Sequence, residues 1–145
     1  MMKTCEALRR RMFALAGCDW AGEVCFKEGE ELSLLMDGER LTVEAPDISA
    51  AARGLFLAAC TLRDGKNIPE LHQTRHIASC GMMLDMSRGG VMTVEAVKGM
   101  IDAHAALGLN LMMLYTEDTY TVPEAPYLGY LRGRYTEKEL REMDD

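Results

Sequence analysis

Two short, uninterrupted apolar runs flank a well-punctuated helical stretch between Gly81 and Tyr115, and this layout restricts the fold more than any other feature of the chain. Met82-Met83-Leu84 and Leu111-Met112-Met113-Leu114 do not alternate with polar residues. Continuous runs of this length mark strands buried on both faces, the condition of a parallel sheet. Each is too short for a stable helix. Polar residues bound each one, Ser87-Arg88 after the first and Thr116-Glu117-Asp118 after the second. Between them Thr93 is placed to cap a helix and Glu95 to sit in its positive first turn. Val94, Val97, Ile101 and Ala105 recur at steps of three and four and line one helical face. Gly108 suits the left-handed position after the last turn. The stretch therefore predicts a right-handed crossover between two parallel strands. In such sheets, binding groups gather beyond the carboxyl ends of the strands, so Arg88 and Asp118 become the first candidate site residues.

The chain before this unit reads differently. Residues 3–16 predict a helix, with Cys5, Leu8, Met12 and Leu15 on one face. Glu23 to Phe26 predicts a short strand. Leu32, Leu34 and Met36, then Leu41, Val43 and Ala45, form alternating runs on either side of Asp37-Gly38. Asp-Gly between alternating runs is a tight hairpin signal, because both central residues tolerate positive φ. Asp47 can cap a following helix whose apolar face is Ile48, Ala52, Leu55, Phe56, Ala59 and Leu62, with Gly65 ending it. Pro69 to Gln73 reads as a further extended piece. Residues 1–76 thus predict a small α+β domain, a hairpin sheet with packed helices, in which scaffolding is the expected role.

Charge and cysteine usage exclude several function classes. The net charge of -7 over 145 residues leaves no basic surface for nucleic acid, whose phosphates need clustered Lys and Arg. Arg9-Arg10-Arg11 is the one basic cluster and predicts a solvated helix face. No apolar run approaches the ~20 residues that span a bilayer. Leu15-Ala16-Gly17-Cys18 resembles a lipoprotein cleavage site, but the apolar run before it, Met12 to Ala16, is shorter than the roughly 7–15 residues a signal peptide requires. Five cysteines, an odd number without CxxC spacing, fit free thiols in a reducing cytoplasm. His72 and His76 lie four apart, yet no HExxH motif or nearby cysteine completes a metal site. No cofactor is expected. The methionine-rich strands read as core filler, since thioether metal sites need exposure and convergence. Tyr115, Tyr120, Tyr127, Tyr130 and Tyr135 read as amphipathic loop packing, and Arg132 and Arg134 as loop ion-pair partners.

After Arg134 the sequence opens another helix. Thr136-Glu137-Lys138-Glu139 is a capping-box pattern, and Leu140 and Met143 begin an apolar face before the sequence stops at Asp144-Asp145. A helix of about two turns is marginal alone, so the reading expects a fragment of a longer protein.

The segments GMMLDMSRGG, LNLMMLYTEDTYTVPEAPYLGYLRGRYT and EKELREMD together resemble the opening of the catalytic barrel of glycoside hydrolase family 20, the β-N-acetylhexosaminidases. The likeness covers residues from about 76 to 145 and is nearest to the bacterial branch whose second strand runs into LYTEDTY. A small α+β domain precedes the barrel in that family too. The resemblance implies an α/β architecture: a small α+β domain over residues 1–76, followed over 77–145 by the first βαβ unit of an incomplete (β/α)8 TIM barrel. A whole barrel takes about 250 residues.

The resemblance also implies roles. The arginine of the first-strand motif, here Arg88, hydrogen-bonds hydroxyls of the terminal N-acetylhexosamine, and its planar fork suits two neighbouring hydroxyls. The acidic residue ending the second strand, here Asp118, lies in the same pocket. Asp85 is read as a partner of Arg88 on one strand face, or as a satisfied buried carboxylate. Glu117 departs from the hydrophobic residue common in the wider family, and its side chain is expected to point elsewhere. The family's catalytic Asp-Glu pair ends a fourth strand and lies outside these residues, so no catalytic residue is assigned. The expected activity of the full-length parent is substrate-assisted, retaining removal of terminal N-acetylhexosamine, with the 145-residue chain inactive alone. An amino-sugar glycan is the expected partner, with neither nucleic acid nor membrane. A homodimer of the parent is compatible with this reading. The alternative is a non-catalytic α/β binding or interaction module.

Overall fold

The alternating runs on either side of Gly38 build the first sheet. In a computed structural model, which describes residues 2–144, β2 (Leu32–Asp37) pairs antiparallel with β3 (Arg40–Ala45). Asp37 faces Arg40 in the ladder, so the two loop residues are Gly38 and Glu39, one position later than Asp37-Gly38. Only Gly38 takes positive φ (57°), which is what a II′ turn with glycine first requires. β1 (Glu23–Glu28) adds to β3 in parallel, and the short β4 (Leu71–Gln73) closes the other edge against β2. The resulting order is β1-β3-β2-β4.

Two helices cover one face of this sheet, α1 (Met2–Ala16) and α2 (Ile48–Arg63). Leu32 and Leu34 of β2 and Leu41 and Val43 of β3 point into one core with Met12, Phe13 and Ala16 of α1 and with Ala52, Leu55 and Ala59 of α2. Full burial of a residue such as Leu41 or Leu55 contributes about 1.5–3 kcal/mol. Small residues let α2 lie close. A Cβ on Gly54 would sit 2.7 Å from the Leu32 Cδ1 atom. Asp47 caps α2 by accepting from the Ala50 N–H at 2.9 Å, and Gly65 follows with φ 67°. Ile48 and Leu15 depart from their expected places and are exposed. Ile48 opens the first turn of its helix, and on α1 the buried stripe is Met12, Phe13 and Ala16 rather than one through Leu15. Arg9 is not a freely solvated member of the basic cluster: its guanidinium donates to the Trp20 and Gly22 carbonyls and stacks on Phe13.

The chain divides into two compact units, Met1–Cys80 with Asp102–Asn110, and Gly81–Ile101 with Leu111–Asp145. In the second, β5 (Gly81–Asp85) and β6 (Leu111–Tyr115) pair in parallel, in register from Gly81↔Leu111 to Asp85↔Tyr115. Between them in sequence runs α3 (Val94–Ala106), whose Thr93 hydroxyl accepts from the Ala96 N–H at 3.2 Å. Gly108 follows it with φ 78°. Met86, Val97 and Tyr135 form the buried centre of this unit, flanked by Leu84, Ile101, Met112 and Leu114. α4 (Glu137–Asp144) adds Leu140 and Met143 to it. Its capping box is complete: Thr136 Oγ1 accepts from the Glu139 N–H, and Glu139 Oε2 accepts from the Thr136 N–H at 2.8 Å.

The expectation that both apolar strands are buried on both faces is not met. Leu84, Met112 and Leu114 face the core, whereas Met82, Met83, Leu111 and Met113 are exposed. The core of this unit covers one side of the pair, so Met83, Leu111 and Met113 on the opposite side meet solvent, while Met82, on the core side near the start of β5, lies beyond that cover. Among the described residues no helix is long and apolar enough to cross a membrane.

Candidate functional site

Parallel in-register pairing brings the ends of β5 and β6 to the same rim, and both chains turn sharply there. After β5, the Asp85 carboxylate closes the turn. Its Oδ1 accepts from the Ser87 N–H (2.9 Å), the Ser87 hydroxyl (2.7 Å) and the Arg88 N–H (3.2 Å). Its Oδ2 accepts from Arg88 Nη1 at 3.3 Å. These donors, the Ser87 hydroxyl first, hold the Asp85 carboxyl below the usual aspartate range. Asp85 is therefore a partner of Arg88, but through a turn rather than a shared strand face. The two stand three positions apart, the strand ends at Asp85 itself, and the carboxylate is exposed rather than buried.

After β6, the chain reverses at Glu117 and Asp118. The Thr119 N–H and hydroxyl both donate to the Thr116 carbonyl, at 2.9 and 2.7 Å. Glu117 takes φ 47°, rare for a residue with a long side chain. This turn separates the two acidic side chains. Glu117 Oε1 accepts from the Tyr115 hydroxyl at 2.8 Å and stands 3.6 Å from Arg88 Nη2. The Glu117 carboxylate in turn raises the Tyr115 phenol above its ordinary range. Arg88 also stacks on the Tyr115 ring at 5.3 Å, so Asp85, Glu117 and Tyr115 fix its plane while the side chain stays 70% exposed.

Asp118 belongs to a second ion pair on the same rim. Its Oδ1 is buried without a hydrogen bond, 3.7 Å from Arg132 Nη2. Arg132 Nη2 also donates to the Ser87 carbonyl, which ties the returning loop to the end of β5. The loop is closed by a parallel bridge between Tyr120 and Tyr135 and is braced by Arg134, which donates to the Pro126 and Leu128 carbonyls. Gly129 packs under Asp118 so closely that a Cβ would lie 1.9 Å from its carbonyl oxygen.

Three site features escape a reading of the residues alone. Glu117, expected to point elsewhere, is a partner of Arg88. Arg132 does form a loop ion pair, but its partner is the candidate residue Asp118. Tyr115 supports the guanidinium, while Tyr135 is core, its hydroxyl donating to the Met92 carbonyl. A φ sign leaves no mark on a tripeptide such as Thr-Glu-Asp, so the first could not be found in advance. His72 lies on β4 between Glu31 (3.0 Å) and Glu70 (3.3 Å), and among the described residues no group of His, Cys, Asp and Glu is arranged to hold a metal ion. All five cysteines are free.

No family model and no curated protein matches the sequence. Solved structures do. A glycoside hydrolase family 20 β-N-acetylglucosaminidase shares 25% identity, covers 99% of this chain and 34% of its own, and superposes with a TM-score of 0.73. The chitobiase of Flavobacterium johnsoniae shares 22% identity over 94% of this chain and 26% of that one, with a TM-score of 0.69. The exo-β-N-acetylglucosaminidase of Vibrio harveyi, solved in complex with N-acetylglucosamine, shares 20% identity over 84% and 25%, with a TM-score of 0.63. The chain thus spans between a quarter and a third of the length of these structures. The resemblance carried by the two strand motifs is met by structural likeness over nearly the whole chain.

Proposed function

We propose that this chain is the opening part of a family 20 β-N-acetylhexosaminidase, with residues 1–76 as its small α+β domain and residues 77–145 as the first strand, helix and second strand of a (β/α)8 barrel. One observation carries the reading beyond likeness of fold. Two parallel strands in register end in an exposed guanidinium and acidic residues on one rim, where the sites of such barrels are built. Arg88 donates to neighbouring hydroxyls of the terminal N-acetylhexosamine. Asp118 lines the same pocket, and Asp85 keeps the guanidinium in place. The general acid and the carboxylate that orients the acetamido group lie outside these residues. That acetamido oxygen attacks the anomeric carbon, so the anomeric configuration is retained without an enzymic nucleophile. Nothing in this chemistry requires a cofactor, and free thiols suit a cytoplasmic enzyme.

The test is to express the complete gene product that carries this chain and assay it on 4-nitrophenyl N-acetyl-β-D-glucosaminide, following the first-formed anomer by NMR. Hydrolysis releasing the β-anomer is expected, with Arg88→Ala lowering kcat/KM by about 100-fold as a charge-assisted hydroxyl contact is lost. The 145-residue chain alone is expected to be inactive. A complete product that leaves the substrate intact, or activity in the short chain, overturns the proposal.

A further inference from the structure

We propose that Tyr127 and Tyr130, with Leu131 beside them, form a platform for the part of the glycan that follows the terminal sugar, and so favour oligosaccharides over simple glycosides. The inference rests on the glycosidase reading above. Loop packing is the expectation for both rings, and the structure does not meet it. Tyr127 is 85% exposed, Tyr130 65% and Leu131 91%. The loop that carries them is nonetheless firmly held. Successive turns run through it: the Leu128 N–H donates to the Ala125 carbonyl (2.9 Å), the Tyr130 N–H to the Tyr127 carbonyl (3.2 Å) and the Arg132 N–H to the Gly129 carbonyl (2.9 Å). The second of these turns sets Tyr127 and Tyr130 at its two ends, with Cα atoms within about 7 Å. Arg134 braces the same turns through the Pro126 and Leu128 carbonyls.

Three features favour a sugar on this patch. First, Leu131 is held at φ 67°, a conformation that glycine would adopt without strain. Strain of this kind concentrates at ligand sites, and here it sets a leucine in solvent rather than in the core. Second, the loop is anchored on the proposed sugar rim. Arg132 donates to the Ser87 carbonyl, next to Arg88, and pairs with Asp118, while Gly129 packs under the Asp118 carbonyl. Third, the chemistry matches. A β-linked pyranose presents C–H bonds on its faces and hydroxyls around its edge. A tyrosine offers an apolar ring face and a polar tip, and it loses little conformational entropy on binding. From Val122 to Leu131 the only charged residue is Glu124, so the patch suits a neutral ligand. A second copy of this chain fits less well. Two tyrosines of roughly 150–250 Å² each fall short of the about 800 Å² per partner that a stable interface buries.

The experiment uses the complete gene product as wild type, Tyr127→Ala, Tyr130→Ala, Tyr127→Phe and Leu131→Gly. It measures kcat/KM on β-1,3-, β-1,4- and β-1,6-linked N-acetylglucosaminyl disaccharides and on methyl N-acetyl-β-D-glucosaminide, with melting temperature and light-scattering mass alongside. Binding energy from a remote part of the substrate raises kcat/KM for the longer substrate. The wild type is therefore expected to favour at least one disaccharide over the methyl glycoside about tenfold, the worth of one well-packed aromatic contact. Tyr127→Ala and Tyr130→Ala each lower that ratio about three- to tenfold. Tyr127→Phe keeps most of it, because the ring face remains. Leu131→Gly lowers the ratio while its melting temperature does not fall, which separates binding from folding. A wild-type ratio near unity for all three linkages, or a ratio unchanged in both alanine variants, overturns this inference alone. So does a halved mass in those variants, which marks a contact between copies, or a melting temperature lowered by about 5 °C or more in both, which marks internal packing. No hydrolysis of any substrate by the wild type overturns the glycosidase reading and this inference with it.

Discussion

Single residues at the boundaries of elements were the most legible part of this chain. Asp47, Thr93 and Thr136 each accept from the first turn of the helix they precede, and Gly65 and Gly108 follow their helices with positive φ. Such residues act through local backbone chemistry, so their type and position suffice. Glu117 was not legible, because its conformation is imposed by the turn that buries Thr119. Asp47 offers a test with a definite sign. The Arg75 guanidinium, ahead of the Ala50 N–H, holds its carboxyl below the usual aspartate range, against the opposing effect of burial. A carboxyl depressed in the folded state stabilises above its unfolded value, near ~3.9, and that contribution is lost as pH falls through the depressed value. The melting temperature should therefore drop on acidification below about pH 4. Asp47→Asn, which still caps the helix, should melt lower at neutral pH and show a flatter acid limb by scanning fluorimetry. Gly129 offers a second test. Its φ of 64° and its approach to the Asp118 carbonyl leave no room for a methyl. Gly129→Ala should cost about 2–4 kcal/mol by denaturant unfolding.

Elements were legible in kind and order, and less so in what they bury. The hairpin, the capped helices and the parallel pair all form where periodicity and punctuation indicate. The hairpin loop is displaced by one residue because Asp37 is drawn into the ladder opposite Arg40. For β5 and β6, a continuous apolar run identifies the strand but not how many of its faces find cover. Their pairing depends on one close approach: a Cβ on Gly81 would lie 1.7 Å from the Leu111 carbonyl oxygen. Gly81→Ala should therefore abolish amide protection along β5 and β6 in hydrogen exchange while leaving β2 and β3 protected. α4 stands at the other limit. It is a short helix with no fully buried residue, held by its capping box, the partial burial of Leu140 and Met143 and the Lys98–Glu142 ion pair. Thr136→Ala should remove about 1 kcal/mol from it, read as faster exchange of its amides than of those in α2.

At the scale of the whole chain, the division into two units does not follow the order of residues. The segment Asp102–Asn110 belongs with the first unit, although the residues on either side of it belong to the second. No composition shift marks this, because the segment joins the first unit through scattered contacts: Ala106 in its core, Asp102 paired with Arg11, and the Leu107 carbonyl accepting from Arg53. The two units also differ in how completely they are closed. The first has a four-stranded sheet over a continuous core, whereas the second has two strands with one apolar face in solvent. A two-stranded sheet is marginal without further cover. The amides of β5 and β6 should therefore exchange at lower opening energy than those of β2 and β3, a ranking native-state hydrogen exchange would measure. The open face carries its own chemical record. Met83 and Met113 are 59% and 51% exposed, while Met12 and Met86 are 1% and 0%. A brief pulse of hydrogen peroxide should convert the first pair to sulfoxides well before the second. Mass spectrometry of those four thioethers would then report whether a larger assembly shields this side of the molecule.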